Sequence, residues 1–383
     1  MKWVGLVLAA LLAAGAYVFF GVLPGRFDAK TNVVLPHGAY KVSAAARALH
    51  KTIPIADLHA DTLLWKRDPA KRQSRGQTDL VRLREGGVAL QVFTAVTKVP
   101  KNMNLDENAA DSDQLTLLMA AQAWPPRTWF SIYERAAYQA GRLAKLEKDA
   151  PDRFIFVRSS ADLQRALDED KLAGIYGIEG AHPLEGDLAN IARLYDQGVR
   201  VMGLQHFFDN ELGGSLHGQS GAGLTEFGEQ AVDAAVAQGV VIDLAHASEA
   251  VVRDVLARSS KPVIVSHTGL KGHCDTARNI PDDLMKAIAD HGGLVGVGYW
   301  EAAACATSPE GIAAEILYGV GLLGADHVAL GSDFDGAVTT ALDASELAAI
   351  TQALMDAGLD NETIRAVMGE NAVRFFLENL PAQ

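Results

Sequence analysis

Eight short apolar runs rich in valine and isoleucine recur along the chain after residue 30, with helical stretches between them. They occupy residues 53–57, 89–95, 173–178, 200–204, 240–244, 262–265, 294–298 and 327–330. Runs this short and this uniformly apolar read as strands buried on both faces, as in a parallel sheet. The intervening stretches read as helices. The longest, 112–147, must break at Pro125-Pro126, because proline lacks the N–H that a helix interior needs. Eight strand-then-helix units predict an α/β fold, a closed (β/α)8 TIM barrel. A doubly wound open sheet is the alternative. It would place a glycine-rich phosphate loop after its first strand, whereas here the first run leads into Asp57-Leu58-His59-Ala60-Asp61.

The polar residues sit where such a barrel would use them. The first run leads to His59 and Asp61, the third to Glu179, the fourth to His206, the fifth to His246, the sixth to His267, and the eighth to Asp333 and Asp335. A barrel gathers the C-terminal ends of all its strands on one face, so these residues would meet in one mouth. One histidine at a strand end is ordinarily a hydrogen-bonded structural residue; four at four strand ends, with acids at others, form a pattern. Imidazole nitrogen and carboxylate oxygen are zinc ligands, and one catalytic zinc takes three from protein. Five ligands therefore suit two ions: His59 and Asp61 on one, His246 and His267 on the other, Glu179 bridging. Two ions a few ångströms apart clamp a water and lower its pKa, giving hydroxide near neutral pH. Asp243 either orients a ligand or is satisfied by backbone groups. His37, His50, His291 and His327 read as loop or surface residues, His217 and His273 stay undecided, and His182 can support the site. Asp335 reads as a turn residue before Gly336.

The net charge of −13 comes without a basic stripe, which argues against a nucleic-acid partner. Cys274 and Cys305 are the only cysteines; they form either one disulfide or two buried thiols. At the N-terminus, residues 3–25 are 23 residues without a formal charge, and roughly 20 apolar residues span a bilayer. The choice is between a membrane anchor and a cleaved signal. Ala14-Gly15-Ala16 looks like a cleavage site, but the apolar run continues past it through Tyr17-Val18-Phe19-Phe20, which favours the anchor. Residues 1–28 are thus expected to be an anchor or signal segment and 29–383 a catalytic domain. That domain is expected on the periplasmic or extracytoplasmic side, or exported as a soluble protein if the segment is cleaved.

With these residues the chain resembles the membrane dipeptidase (renal dipeptidase) family. The resemblance runs over most of the chain after residue 50. It rests on Ala56-Asp57-Leu58-His59-Ala60-Asp61, Ile178-Glu179-Gly180, Leu204-Gln205-His206, Ile242-Asp243-Leu244-Ala245-His246, Ser266-His267, Ala277-Arg278-Asn279-Ile280-Pro281-Asp282-Asp283 and Gly331-Ser332-Asp333-Phe334-Asp335-Gly336. Each segment is short; all seven in order are specific. The resemblance implies a barrel of the metal-dependent hydrolase type, two Zn2+ ions on the five ligands above, and hydrolysis of dipeptides. It implies that His206 stabilises the oxyanion, that Arg278 holds the substrate's C-terminal carboxylate and that Asp333 moves protons. It also implies a Cys274–Cys305 disulfide, and members often form homodimers. It is weakest over residues 99–150, whose Trp, Tyr and Lys residues are expected to shape the pocket together with the loop 209–223. Two rivals are another binuclear hydrolase on the same barrel, acting on a cyclic amide, lactone or phosphoester, and an anchored scaffold protein with an inactive site. The first would ordinarily begin with His-x-His rather than His59-Ala60-Asp61; the second would have lost a ligand.

Overall fold

A computed structural model describes residues 2–383. Eight parallel strands form the barrel: β1 (Ile55–Ala60), β2 (Val88–Val96), β3 (Leu172–Glu179), β4 (Val199–Gly203), β5 (Val241–Asp243), β6 (Ile264–Thr268), β7 (Leu294–Val297) and β8 (Val328–Leu330). Each overlaps one of the eight apolar runs. The ring closes where β8 meets β1 through Leu330 and Asp57, and β2 meets β3 over seven residue pairs from Leu90↔Ala173 to Val96↔Glu179. Ala56, Leu90, Ala173, Val201, Val241, Ile264, Leu294 and Ala329, one from each strand, share a buried cluster with Phe376 of the last helix. Strands on opposite sides of a sheet can share a cluster only when the sheet closes on itself.

The long stretch 112–147 breaks as the two prolines require, into Leu115–Ala121, Arg127–Phe130 and Ile132–Asp149. Ser131 caps the last of these by accepting from Glu134 N. One strand of the main sheet is not among the eight expected. Phe154–Val157 pairs with the first half of β3, while β4 pairs with the second half. It lies outside the closed ring, and a four-residue apolar run has no periodicity to separate it from a helix end.

The N-terminal helix is continuous from Lys2 to Thr31, 30 residues, or about 45 Å at 1.5 Å per residue. Its first two-thirds is exposed; Pro24 and Asp28 are buried against the barrel. Asp28 lies between Arg67 at 3.1 Å and Arg75 at 2.7 Å. Beyond the helix, Val33–Val34 pairs in parallel with Thr339–Thr340 in the loop after β8. The helix end is therefore fastened to the same face of the barrel that carries the strand-end residues.

Candidate metal centre

β1 delivers His59 and, one residue past its end, Asp61; β3 ends in Glu179; β6 contains His267. His206, His246 and Asp333 each follow their strand by three residues. These side chains converge at the mouth and are buried. Glu179 is central. Its Oε1 lies 3.6 Å from His59 Nε2, 3.2 Å from His246 Nε2 and 3.3 Å from His267 Nε2, and its Oε2 lies 3.3 Å from His206 Nε2. His59 Nε2 is 3.6 Å from Asp61 Oδ1 and 3.9 Å from Asp333 Oδ1. His246 and His267 point Nε2 at each other across 3.0 Å. Potential ligand atoms fall into three overlapping groups: His59, Asp61 and Glu179; Glu179, His206 and His246; His59, His267 and Asp333.

The electrostatics suit cations. Burial pushes the Glu179 carboxyl well above its ordinary range, and the neighbouring Asp61 adds to this. Burial likewise pushes Asp333 up to about 8, against the pull of His59. Burial would depress His59, but Asp61 and Glu179 outweigh it and raise the ring to about 10. Burial drives His246 and His267 well down, with Arg278 and neighbouring histidines contributing. Asp61, Glu179 and Asp333 thus crowd together with neutral His246 and His267, and His59 and Arg278 offset only part of the repulsion among the acids. Divalent ions bound by N and O donors would relieve it fully. The donor set fits one or more such ions.

The surroundings hold the donors in place. Ser266 Oγ lies 3.0 Å from His59 Nδ1 and 2.9 Å from His267 Nδ1. Thr94 of β2 donates to Asp61 Oδ1 at 2.6 Å. Asp57 Oδ1 accepts from His59 N and Ser332 N. Asp243 Oδ1 accepts from Ala245 N and Ser266 N, so backbone groups satisfy it. His246 and Asp333 adopt left-handed backbone, φ 64 and 57; non-glycine residues held so are strained by about 1–3 kcal/mol each. The sequence assigns no role to Thr94, or to Ser266 beyond its place beside His267 in a family-like segment, since a hydroxyl within a strand looks like any strand residue. The one available signal was its presence in an otherwise greasy run.

Arg278, which alone would read as a surface arginine, is 1% exposed. Its Nη2 donates to His267 O at 2.6 Å, and its guanidinium lies 5.5 Å from the Trp300 ring centre. Burial lowers it to about 10, so it stays charged at neutral pH. Its loop is tied by the Cys274–Cys305 disulfide, Cα–Cα 5.5 Å, and by Asn279, which accepts from Gly269 N and donates to Cys274 O and Ala303 O. His206 is pushed by burial to about 3 and is neutral. His182 stacks on Phe208 behind it, and His217 Nδ1 bonds Leu105 O. His50 is not a surface residue: it is buried, bonded to Thr351 Oγ1 and Gly86 O. Asp335 is a buried partner of Arg67 at 2.8 Å.

The centre floors a cavity of about 950 Å³. Asp61, Glu179, His206, His246, Arg278 and Asp333 line its polar part. The segment 99–150 does contribute a wall, but an aliphatic one built from Val99, Met103, Leu105, Leu115, Leu117 and Leu118. Trp124 and Tyr138 pack on each other instead. Among the described residues, none of 209–223 lines the cavity; that loop backs the wall through Asn108 N to His217 O.

A family model described as membrane dipeptidase (peptidase family M19) matches residues 43–380. Dipeptidase aclJ of Aspergillus oryzae is 28% identical over 364 residues, covering 86% of this chain and 80% of that protein. Among solved structures, dipeptidase AC, a metallo peptidase of family M19, is 26% identical with a TM-score of 0.72, covering 87% of this chain and 100% of that one. A metallo peptidase from Rhodobacter sphaeroides, liganded with a phosphinate mimic of the dipeptide L-Ala-D-Ala, is 27% identical with a TM-score of 0.71, covering 86% and 99%.

Proposed function

The chain belongs to the membrane dipeptidase family and is a metal-dependent dipeptidase; from that premise we propose that it works with two zinc ions, His59 and Asp61 holding one, His246 and His267 the other, and Glu179 both. The observation that carries this reading is the approach of three imidazole Nε2 atoms to one oxygen of Glu179. Bound there, two zinc ions supply Lewis acidity and lower the pKa of a water.

The chain's own residues supply the rest. Arg278 binds the substrate's C-terminal carboxylate, since a planar guanidinium matches a carboxylate with two parallel hydrogen bonds. It also sets the substrate's length, because a longer peptide has no carboxylate at that distance. His206, neutral, donates to the scissile carbonyl oxygen, and the bond strengthens as negative charge builds there. Asp333 takes a proton from the attacking water and passes it to the leaving amine.

The N-terminal helix is the membrane anchor of a catalytic unit on the extracytoplasmic side. The Cys274–Cys305 disulfide supports that side, because such bonds persist in oxidising compartments.

The test is release of amino acids from L,L- and L,D-dipeptides by the full chain in detergent, with a tripeptide control. L,D-substrates are included because of the ligand of the Rhodobacter sphaeroides relative. Cleavage should vanish on chelation, return with zinc and be absent for the tripeptide. Arg278→Lys should lower dipeptide kcat/KM roughly 10–100-fold, the equivalent of losing a charge-assisted hydrogen bond. Unchanged kinetics in Arg278→Ala would sink the carboxylate assignment.

A further inference from the structure

At about 950 Å³ the cavity stands at the upper end of pockets that enclose drug-sized ligands. A dipeptide backbone, held at its carboxylate by Arg278 and at its carbonyl by the floor, fills only the polar base. Above that base the walls are largely apolar, although Arg26, Lys30, Gln114 and Glu301 also reach them. One of them is not barrel at all: Phe19, Leu23, Pro24 and Phe27 of the N-terminal helix line the cavity. The Phe27 ring lies 6.0 Å from that of Trp65, which itself lines the cavity.

This wall is built in. Asp28 is paired with two arginines. Lys66 Nζ donates to Phe20 O at 3.0 Å, and Ala337 N donates to Asn32 Oδ1 at 2.9 Å. The contacts reach the loop after β1, which carries Asp61, and the loop after β8, which carries Asp333. Arg278 comes instead from the loop after β6. A dipeptide whose carboxylate sits on Arg278 therefore directs its amino-terminal residue away from that loop, toward the helix.

Resting on the dipeptidase reading above, we propose that the end of the N-terminal helix, from Phe19 to Phe27, is a specificity element that completes an apolar chamber for a bulky apolar side chain on the amino-terminal residue of the dipeptide. The wall begins beyond Ala14-Gly15-Ala16, so cleavage there leaves it in place. Removing apolar contact from a substrate pocket changes discrimination by roughly tenfold or more.

The experiment uses the full zinc-loaded chain in detergent and two substrates that share a leaving residue, Phe-Ala and Gly-Ala. The reading is the ratio of their kcat/KM values, which cancels any loss of folded enzyme. Leu23 and Phe27 are 45% and 44% exposed, so changing them does not hollow the core. In Leu23→Ser and Phe27→Ser the ratio should fall about tenfold, chiefly through the KM of Phe-Ala, and Phe27→Leu should restore most of it. A ratio unchanged from wild type in both serine variants overturns the proposal. Wild-type enzyme that carries two zinc ions and cuts neither substrate overturns the dipeptidase reading, and the chamber with it.

Discussion

Ser266 stands between two histidines proposed to serve different ions. For His59 and His267 both to offer Nε2, each must carry its proton on Nδ1, and one hydroxyl lies within 3.0 Å of both Nδ1 atoms. A hydroxyl oxygen has two lone pairs and can accept from both rings. Ser266→Ala would release both rings at once, and losing such a supporting bond weakens metal binding about 10–100-fold. Competition against a zinc chelator measures this directly; unaltered affinity for both ions would remove the serine from the account. Glu315 is a second residue whose role is visible only in three dimensions. Its Oε1 accepts from Leu270 N, and its Oε2 lies 3.5 Å from His273 Nε2. Burial raises its carboxyl to about 7, and Asp282 adds to the rise. The folded chain therefore keeps this proton between about pH 4.5 and 7, where the unfolded chain has lost it, so stability falls as pH rises through that window. Glu315→Gln should match wild type near pH 4.5 and exceed it at pH 8 by up to about 3 kcal/mol. Urea unfolding at the two pH values checks the sign. The residues proposed as ligands stand out in the sequence because each is a titratable residue at the end of a greasy run; Ser266, Thr94 and Glu315 do not, because their meaning lies in what faces them.

At the scale of elements, the eight barrel strands could be read because each is a compact apolar run with helix-forming sequence around it. The ninth, Phe154–Val157, could not, since the ring closes without it. The segment 99–150 is expected to shape the pocket through Trp, Tyr and Lys, and it does supply a wall, but only from residues 99–121 and mainly through aliphatic side chains, while Trp124 and Tyr138 pack on each other. The loop after β6 was legible only through a family resemblance. It shows how an element with little regular structure holds a buried guanidinium in place. Its disulfide closes a stretch of 31 residues, for which loop entropy gives about 3–4 kcal/mol. Replacing both cysteines by serine should lower the melting temperature by several degrees. It should also raise the KM for dipeptides more than it lowers kcat, because Arg278 would lose its bracing while the floor of the site keeps its own. A fall in kcat alone would mean that the disulfide supports the metal centre instead.

At the scale of the whole molecule, the N-terminal helix is long and apolar enough to cross a membrane, and its end is a structural part of the barrel. Sequence reading placed its limit by charge, at the first residues after the apolar run, and set a domain boundary at residue 28. The helix continues to Thr31, and Asp28 is its most deeply tied residue. Charge alone does not distinguish an acid in solvent from one buried between two arginines. Asp28 and Asp335 together neutralise Arg67, whose side chain is 1% exposed. Taking one partner from a buried ion pair costs about 3–5 kcal/mol, and the remaining Asp335 should hold the loss near the lower figure. A chain that starts at residue 23 keeps the pair, whereas one that starts at residue 32 loses it along with the wall at Phe27. The second should unfold at lower urea than the first by about 3 kcal/mol, and Asp28→Asn in the longer chain should reproduce most of the difference. Activity should follow, because Asp335 lies two residues from Asp333 on the same loop and any shift of Arg67 is felt there. Equal stability of the two truncated chains would mean that the helix merely rests on the barrel, and the junction would then be a linker rather than part of the fold.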